Sequence, residues 1–319
     1  MDWFFNSRLF ELARQGKRLT HILAVMPLSL LFMLLAAFGA IPLVILMAVI
    51  YGLSESLLTL EGMPPLVSGF WMALQLILGF FLTYVFVGLW VRFFEKRPVW
   101  TLGYEIKNAL LQYGRGFLIG AGMFAGAVGI LAVLGMLSFE QGDPSNQGVA
   151  ALGGVLVVLL GWIVQGGGEE VVMRGWVLPV LGARYRPWVG LLVSSLLFSF
   201  MHALNPGLSV LALVNLALFG VFAGLYAMRE GSLWGISALH TVWNWVQGNI
   251  FGLAVSGTET GGGMLFNLQT AGPDWVTGGA FGPEGGAAVS VVLALGILAV
   301  LFAPRLSPSE KEVPSQPLP

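Results

Sequence analysis

The chain has 319 residues, of which 57% are hydrophobic and 10% charged, and its mean hydropathy is +0.85. Soluble domains carry about 25% charged residues, so this composition excludes a soluble globular class and marks a polytopic membrane protein. A net charge of −1 with no basic stripe argues against a nucleic-acid partner, and the lack of cysteine excludes disulfides and thiolate metal sites.

Residues 1–20 read as an amphipathic cytoplasmic segment carrying Arg8, Arg14, Lys17 and Arg18. The apolar run after it is too long for a signal-peptide core and reads as a retained first span. A membrane helix needs about 20 mostly apolar residues. Eight stretches qualify: 22–52, 67–91, 116–138, 150–182, 188–204, 208–228, 232–252 and 287–304. Pro27 and Pro42 predict a kink or a short second piece in the first. Gly116 with Gly120, and Gly220 with Gly224, have the spacing that lets helices approach closely. In a chain with 44 glycines that spacing is also frequent by chance. Residues 253–286 form a Gly-rich connection, read as a lid-like or partly re-entrant segment, with disorder as the bland alternative. The Pro-rich tail 306–319 reads as disordered.

Charge sets the orientation, because Lys and Arg favour the cytoplasmic side. Arg92, Lys96, Arg97, Lys107 and Arg115 lie between the second and third stretches, Arg184 and Arg186 between the fourth and fifth, Arg229 between the sixth and seventh, and Arg305 and Lys311 after the eighth. The opposite loops hold Glu55, Glu61, Glu140, Asp143, Glu259, Asp274 and Glu284 and no Lys or Arg. The expected fold is therefore all-α: a polytopic transmembrane helix bundle of about eight spans over 21–305, with both termini cytoplasmic.

Ionisable residues inside spans are costly and mark function. The fourth stretch holds Glu169, Glu170 and Arg174, the fifth His202, and the seventh His240 with Asn244 one turn on. Counted from the inner turns at ~1.5 Å per residue, Glu169, His202, His240 and Asn244 reach a similar depth of roughly 16–25 Å, which predicts one shared site. Glu170 and Arg174 are i,i+4 and can pair, leaving Glu169 free. Gly166, Gly167 and Gly168 are expected to loosen the helix and leave space beside Glu169 for water or a substrate backbone. Ser194, Ser195 and Ser199 would bond back to their own helix. Trp90, Trp100, Trp188 and Trp234 read as interfacial anchors, and Trp243 and Trp245 as packing residues next to a pocket. A carboxylate and a neutral imidazole can hold and deprotonate a water, while a second His and an Asn amide are donors suited to an oxyanion. Alternatively, Glu169, His202 and His240 are a candidate zinc ligand set with an open fourth position. A proton-coupled transporter, or a non-catalytic immunity or scaffold protein, could use the same buried Glu/Arg/His cluster.

The series Glu169-Glu170-x-x-x-Arg174, Phe198-x-x-x-His202 and His240-x-x-x-Asn244 resembles the CPBP family of intramembrane proteases, which includes type 2 CAAX prenyl endopeptidases and bacteriocin-processing or immunity proteins. The resemblance covers roughly 150–250, the motif-bearing core, and the run Thr277 to Gly286 is similar to the segment beyond the third motif in bacterial members. It implies hydrolysis of a peptide bond in a membrane-associated or lipid-modified substrate. By position, Glu169 would activate water with His202, Glu170 and Arg174 would support the helix, and His240 and Asn244 would bind the oxyanion or contribute to a metal site. The implied partners are a peptide or protein substrate and the lipid bilayer, and the implied location is a prokaryotic cell membrane.

Overall fold

The computed structural model describes residues 2–51 and 62–302. Two short helices open the chain, α1 (Asp2–Phe5) and α2 (Arg8–Arg14). Ser7 caps α2 by accepting from the Leu9 amide, and its own hydroxyl donates to the Met228 carbonyl. The buried face of α2 (Leu9, Phe10, Leu12, Ala13) packs onto the bundle, with the Phe10 ring against Gly182.

The first apolar stretch breaks at a 3-10 turn, Phe38–Ala40, into α3 (Ile22–Ala37) and α4 (Ile41–Tyr51). Pro27 sits inside α3 without ending it. The break comes where Gly39 meets the backbone of the next helix at Leu78. That helix is α5 (Pro65–Leu89), which runs on as a π-helix to Glu95. It is followed by α6 (Ala109–Val133) and α7 (Leu152–Glu170). A second π-helix, Val171–Val177, joins α7 to α8 (Leu178–Arg184) in one continuous rod. Pro187 starts α9 (Pro187–Met201), where its missing N–H costs nothing. Ser209 caps α10 (Val210–Glu230), and left-handed Gly231 ends it. α11 (Trp234–Trp245) continues as a π-helix to Ile250.

Pro65–Glu95, Ala109–Val133, Gly148–Arg184 and Val210–Glu230 are long and apolar enough to cross a bilayer; Ile22–Ala37, Pro187–Met201 and Ala287–Phe302 are shorter apolar helices. Large apolar side chains such as Leu118, Leu196 and Phe200 point outward, as a lipid-facing surface requires. The protein is an all-α, multi-pass membrane helix bundle. Glu55, Glu61 and the tail 306–319 lie outside the described residues.

Within the bundle α11 lies between α6 and α7, α7 packs on α5, and α9 packs on α10. The small-residue spacings mark real close approaches. A Cβ at Gly120 would stand 2.6 Å from the Leu239 carbonyl oxygen, and one at Gly220 would stand 2.7 Å from Ser195 Cα. Backbones can come this close only where no side chain intervenes.

The Lys/Arg-rich end is more tightly built than loops of charged residues suggest. Arg97, expected in an open connection, is fully buried. Its Nε donates to Glu95 at 2.9 Å, and Glu95 also accepts from Thr20 at 2.7 Å and from the Trp176 indole at 2.9 Å. Burial removes solvation from both charges, so each must find its partners inside the protein. Of the expected anchors, Trp100 and Trp188 are exposed, whereas the Trp234 indole donates to the Glu105 carbonyl.

At the opposite, acidic end the Gly-rich connection is folded. Strand β1 (Leu137–Phe139) pairs antiparallel with β2 (Leu268–Thr270), in the register Leu137↔Thr270, Ser138↔Gln269 and Phe139↔Leu268. A short helix, α12 (Asp274–Thr277), and two 3-10 turns lead into α13 (Ala287–Phe302). The segment 253–286 thus forms an ordered wall, with Asn249 donating to the carbonyls of Gly261 and Gly263 and Asn215 donating to those of Glu284 and Gly286.

Candidate active site

A cavity of about 400 Å³ opens among these helices, and Glu169, His202, His240 and Asn244 all line it. Met72, Leu76 and Phe80 of α5 give it an apolar side, faced by Phe198, Met201 and Leu293. Gln165, Asn205, Asn215, Ser256, Thr258 and Glu284 add further polar groups to its wall.

Glu169 and Glu170 end α7, at the point where the helix widens into its π-turns. Such widenings often mark functional sites because they re-aim side chains without breaking the rod. Successive residues point about 100° apart, and the two carboxylates accordingly have different partners. Glu170 is fully buried, and its Oε1 accepts from Arg174 at 3.0 Å and from His240 Nδ1 at 2.9 Å. Arg174, also fully buried, donates to the Gly220 carbonyl at 3.3 Å and lies over the Phe198 ring at 4.7 Å. The expected Glu170–Arg174 pair is present, and Glu170 has the further task of orienting His240. Edge contacts from Phe219 and Phe198, at centroid distances of 5.0 and 5.9 Å, fix the same ring.

Glu169 stands on the cavity wall. Its Oε1 accepts from Gln165 at 2.7 Å, while Oε2 has no hydrogen-bond partner and lies 3.8 Å from His240 Nε2. Since Glu170 accepts at Nδ1, that nitrogen carries a proton and Nε2 is the atom His240 offers to Glu169 and the cavity. His240 thus faces Glu169 through Nε2.

His202 is not deep within a helix. It caps α9, is half-exposed, and has Nδ1 2.8 Å from the Phe198 carbonyl. A carbonyl only accepts, so Nδ1 donates and Nε2 keeps a lone pair. Asn244 donates from Nδ2 to Gln165 Oε1 at 2.9 Å, completing a relay of amides, Asn244 to Gln165 to Glu169. One of its two amide hydrogens is thus engaged, and the other remains available.

The glycine triplet works differently from the expectation. A Cβ on Gly166 would meet Thr241, one on Gly167 the Tyr84 hydroxyl, and one on Gly168 Phe80 and Tyr84. α7 remains helical through all three, so they admit neighbouring helices rather than substrate. Ser194 and Ser195 bond back to the Leu191 carbonyl as expected, but Ser199 crosses to the Leu213 carbonyl. Trp243 lines the cavity and donates to Glu284, whereas Trp245 donates to the Val155 carbonyl and packs.

Gln165 and Glu284 are among the cavity residues that the sequence does not single out. Gln165 lies one turn before Glu169 on the same face, and its polarity in an apolar stretch was the available signal. Glu284 comes from the Gly-rich segment, where an acid looks like any other loop acid. Among the described residues no three His, Asp or Glu side chains converge as a metal-ligand set; Glu169, His202 and His240 share a cavity without forming one.

Residues 151–246 match the family model for the type II CAAX prenyl endopeptidase, Rce1-like. Neither the curated proteins nor the solved structures gave a match. The matched stretch contains Gln165, the Glu169–Glu170 pair, Arg174, both cavity histidines and Asn244, so these cavity groups lie in an Rce1-like segment of a multi-pass membrane helix bundle.

Proposed function

We propose that the chain is an intramembrane endopeptidase in which Glu169 activates the hydrolytic water. The observation that carries this reading is the asymmetry of the Glu169 carboxylate: one oxygen is fixed by Gln165, and the other is buried, unpartnered and turned toward His240 Nε2 on the cavity wall. A buried charged oxygen needs a donor, and water or a substrate group in the cavity supplies it. Glu169 removes a proton from that water while the bare Nε2 of His202 accepts the second hydrogen and orients it. The hydroxide adds to the scissile carbonyl carbon. The free amide hydrogen of Asn244 donates to the oxyanion, joined by His240 Nε2 when that ring is doubly protonated. Collapse of the tetrahedral species breaks the C–N bond, and Glu169 returns its proton to the leaving amine. Glu170 and Arg174 keep His240 in register. No step runs through a metal, because the donors present do not gather into a ligand set.

The family description makes a prenylated C-terminal peptide the first substrate to try. In purified, reconstituted protein, Glu169→Gln is expected to lower cleavage of such a fluorogenic peptide by about 10²–10⁴-fold, and His202→Ala to lower it as well. Wild-type rates in Glu169→Gln would refute the assignment. Glu169-dependent ion flux in sealed vesicles without cleavage would favour the transporter reading instead.

A further inference from the structure

The cavity has a second carboxylate that the reaction does not use. Glu284 lines its wall together with Ser256 and Thr258, all three from the segment 253–286. Glu284 Oε1 accepts from the Trp243 indole at 3.1 Å, and Oε2 accepts from the Ser256 amide and hydroxyl, each at 2.8 Å. The backbone around it is pinned as well: Asn215 donates to the Glu284 carbonyl at 2.8 Å and Asn205 to the Ser256 carbonyl at 2.9 Å. The carboxylate is thus held at one place, and all three of its donors are neutral. A carboxylate has about four lone-pair sites, so acceptor capacity remains.

Charge around the cavity is unbalanced. Glu169 and Glu284 line it, and among the described residues no Lys or Arg does. Arg174, the nearest guanidinium on the catalytic helix, is bound to Glu170. The connections at this end, residues 134–150, 202–209 and 251–286, contain Glu140, Asp143, Glu259, Asp274 and Glu284 and no Lys or Arg. Such a field draws cations toward the mouth, and low-dielectric walls focus it.

We propose that Glu284, Ser256 and Thr258 form a subsite for a basic side chain, lysine or arginine, of the peptide being cut. The proposal rests on the endopeptidase reading and specifies its substrate. Glu284 and Glu169 line the same cavity of about 400 Å³. The basic residue therefore lies in the same cavity as the scissile bond. Glu284 selects it by offering a charged acceptor apart from Glu169, which is engaged with the water.

The test uses membrane-anchored octapeptides in pairs that differ only in lysine against norleucine, scanned position by position. Cleavage, as kcat/KM, and binding, by fluorescence anisotropy, are measured on the reconstituted full chain as wild type, Glu284→Gln and Thr258→Lys. Wild type is expected to favour lysine by at least about tenfold at one position. The ratio should fall toward one in Glu284→Gln and below one in Thr258→Lys. Ratios are taken within one variant, so a general loss of activity cancels. Thr258→Lys sits on the Val255–Thr258 turn and leaves the Glu284 hydrogen bonds in place, so it decides the matter if Glu284→Gln does not fold. A wild-type ratio near one at every position, or a ratio that neither variant changes, would overturn the subsite. Cleavage without lysine preference removes the subsite and keeps the endopeptidase. Preferential binding that depends on Glu284, with no peptide cut, keeps the subsite and removes the endopeptidase.

Discussion

Glu170→Gln asks how much of the bundle's stability rests on the carboxylate beside Glu169. Glu170 and Arg174 are both fully buried and 3.0 Å apart, and the same Glu170 oxygen accepts from His240. Glutamine keeps the size of the side chain and removes its charge. Arg174 then loses its hydrogen-bonded charged partner and keeps neutral contacts, the Gly220 carbonyl and the Phe198 face among them. Removing one partner of a buried ion pair costs about 3–5 kcal/mol, because the remaining charge stays buried without its counter-ion. Glu169→Gln disturbs much less, since Glu169 Oε1 accepts only a neutral amide and glutamine can still accept it; about 1 kcal/mol is expected. The assay is unfolding in mixed micelles, titrated with a denaturing detergent and followed by tryptophan fluorescence. Glu170→Gln should unfold well before Glu169→Gln, although both are expected to lose activity. The double variant Glu170→Gln with Arg174→Met should recover most of the stability, because no unpaired charge remains. Equal stability of the two single variants, or no recovery in the double, would refute the reasoning.

Two further outcomes are expected from neighbouring contacts. Gln165→Leu removes a hydrogen bond to a charged oxygen, worth about 1.5–3 kcal/mol. It should therefore lower kcat by roughly 10- to 100-fold with little change in KM, whereas an unchanged kcat would show that Glu169 needs no positioning. Gly120→Leu, which would drive a side chain into the Leu239 backbone, should cost about 1–3 kcal/mol in the same unfolding assay, while Gly122→Leu on the open side of α6 should leave stability near wild type.

What the sequence made legible was mostly a matter of cost. Charges in apolar stretches are expensive enough that Glu169, Glu170, Arg174 and His240 declared themselves without any coordinates. The i,i+4 spacing was enough to pair Glu170 with Arg174. It could not tell which histidine meets Glu169, because that depends on how far α11 is rotated against α7, a quantity set by Gly166 resting on Thr241. His202 looked deeper than it is because α9 stops at Met201, and no Gly or Pro at that point signals the end. Gln165 was overlooked because an amide in a span is far cheaper than a charge. Glu284 was overlooked because its role comes from a segment folding back over the bundle, tied by a strand pair that joins residues more than a hundred apart. The glycines show the same limit. A glycine reports that something comes close, and only the neighbouring helix says what.

The seating of α11 also fixes one polar side of the cavity. On one side the helix meets α6 backbone to backbone, at Gly116 against Gly235 and Gly120 against Leu239; on the other it meets α7 at Gly166 against Thr241. A helix gripped in this way cannot slide or roll by a fraction of a turn without collision, so His240 and Asn244 behave as fixed points. The Gly-rich segment is seated in the same manner, with Gly262 lying against the backbones of Gly69 and Gly154. α5, α6, α7 and α11 thus interlock with the segment 253–286 into one block around the cavity, and a side chain added at any of these glycines would displace its walls.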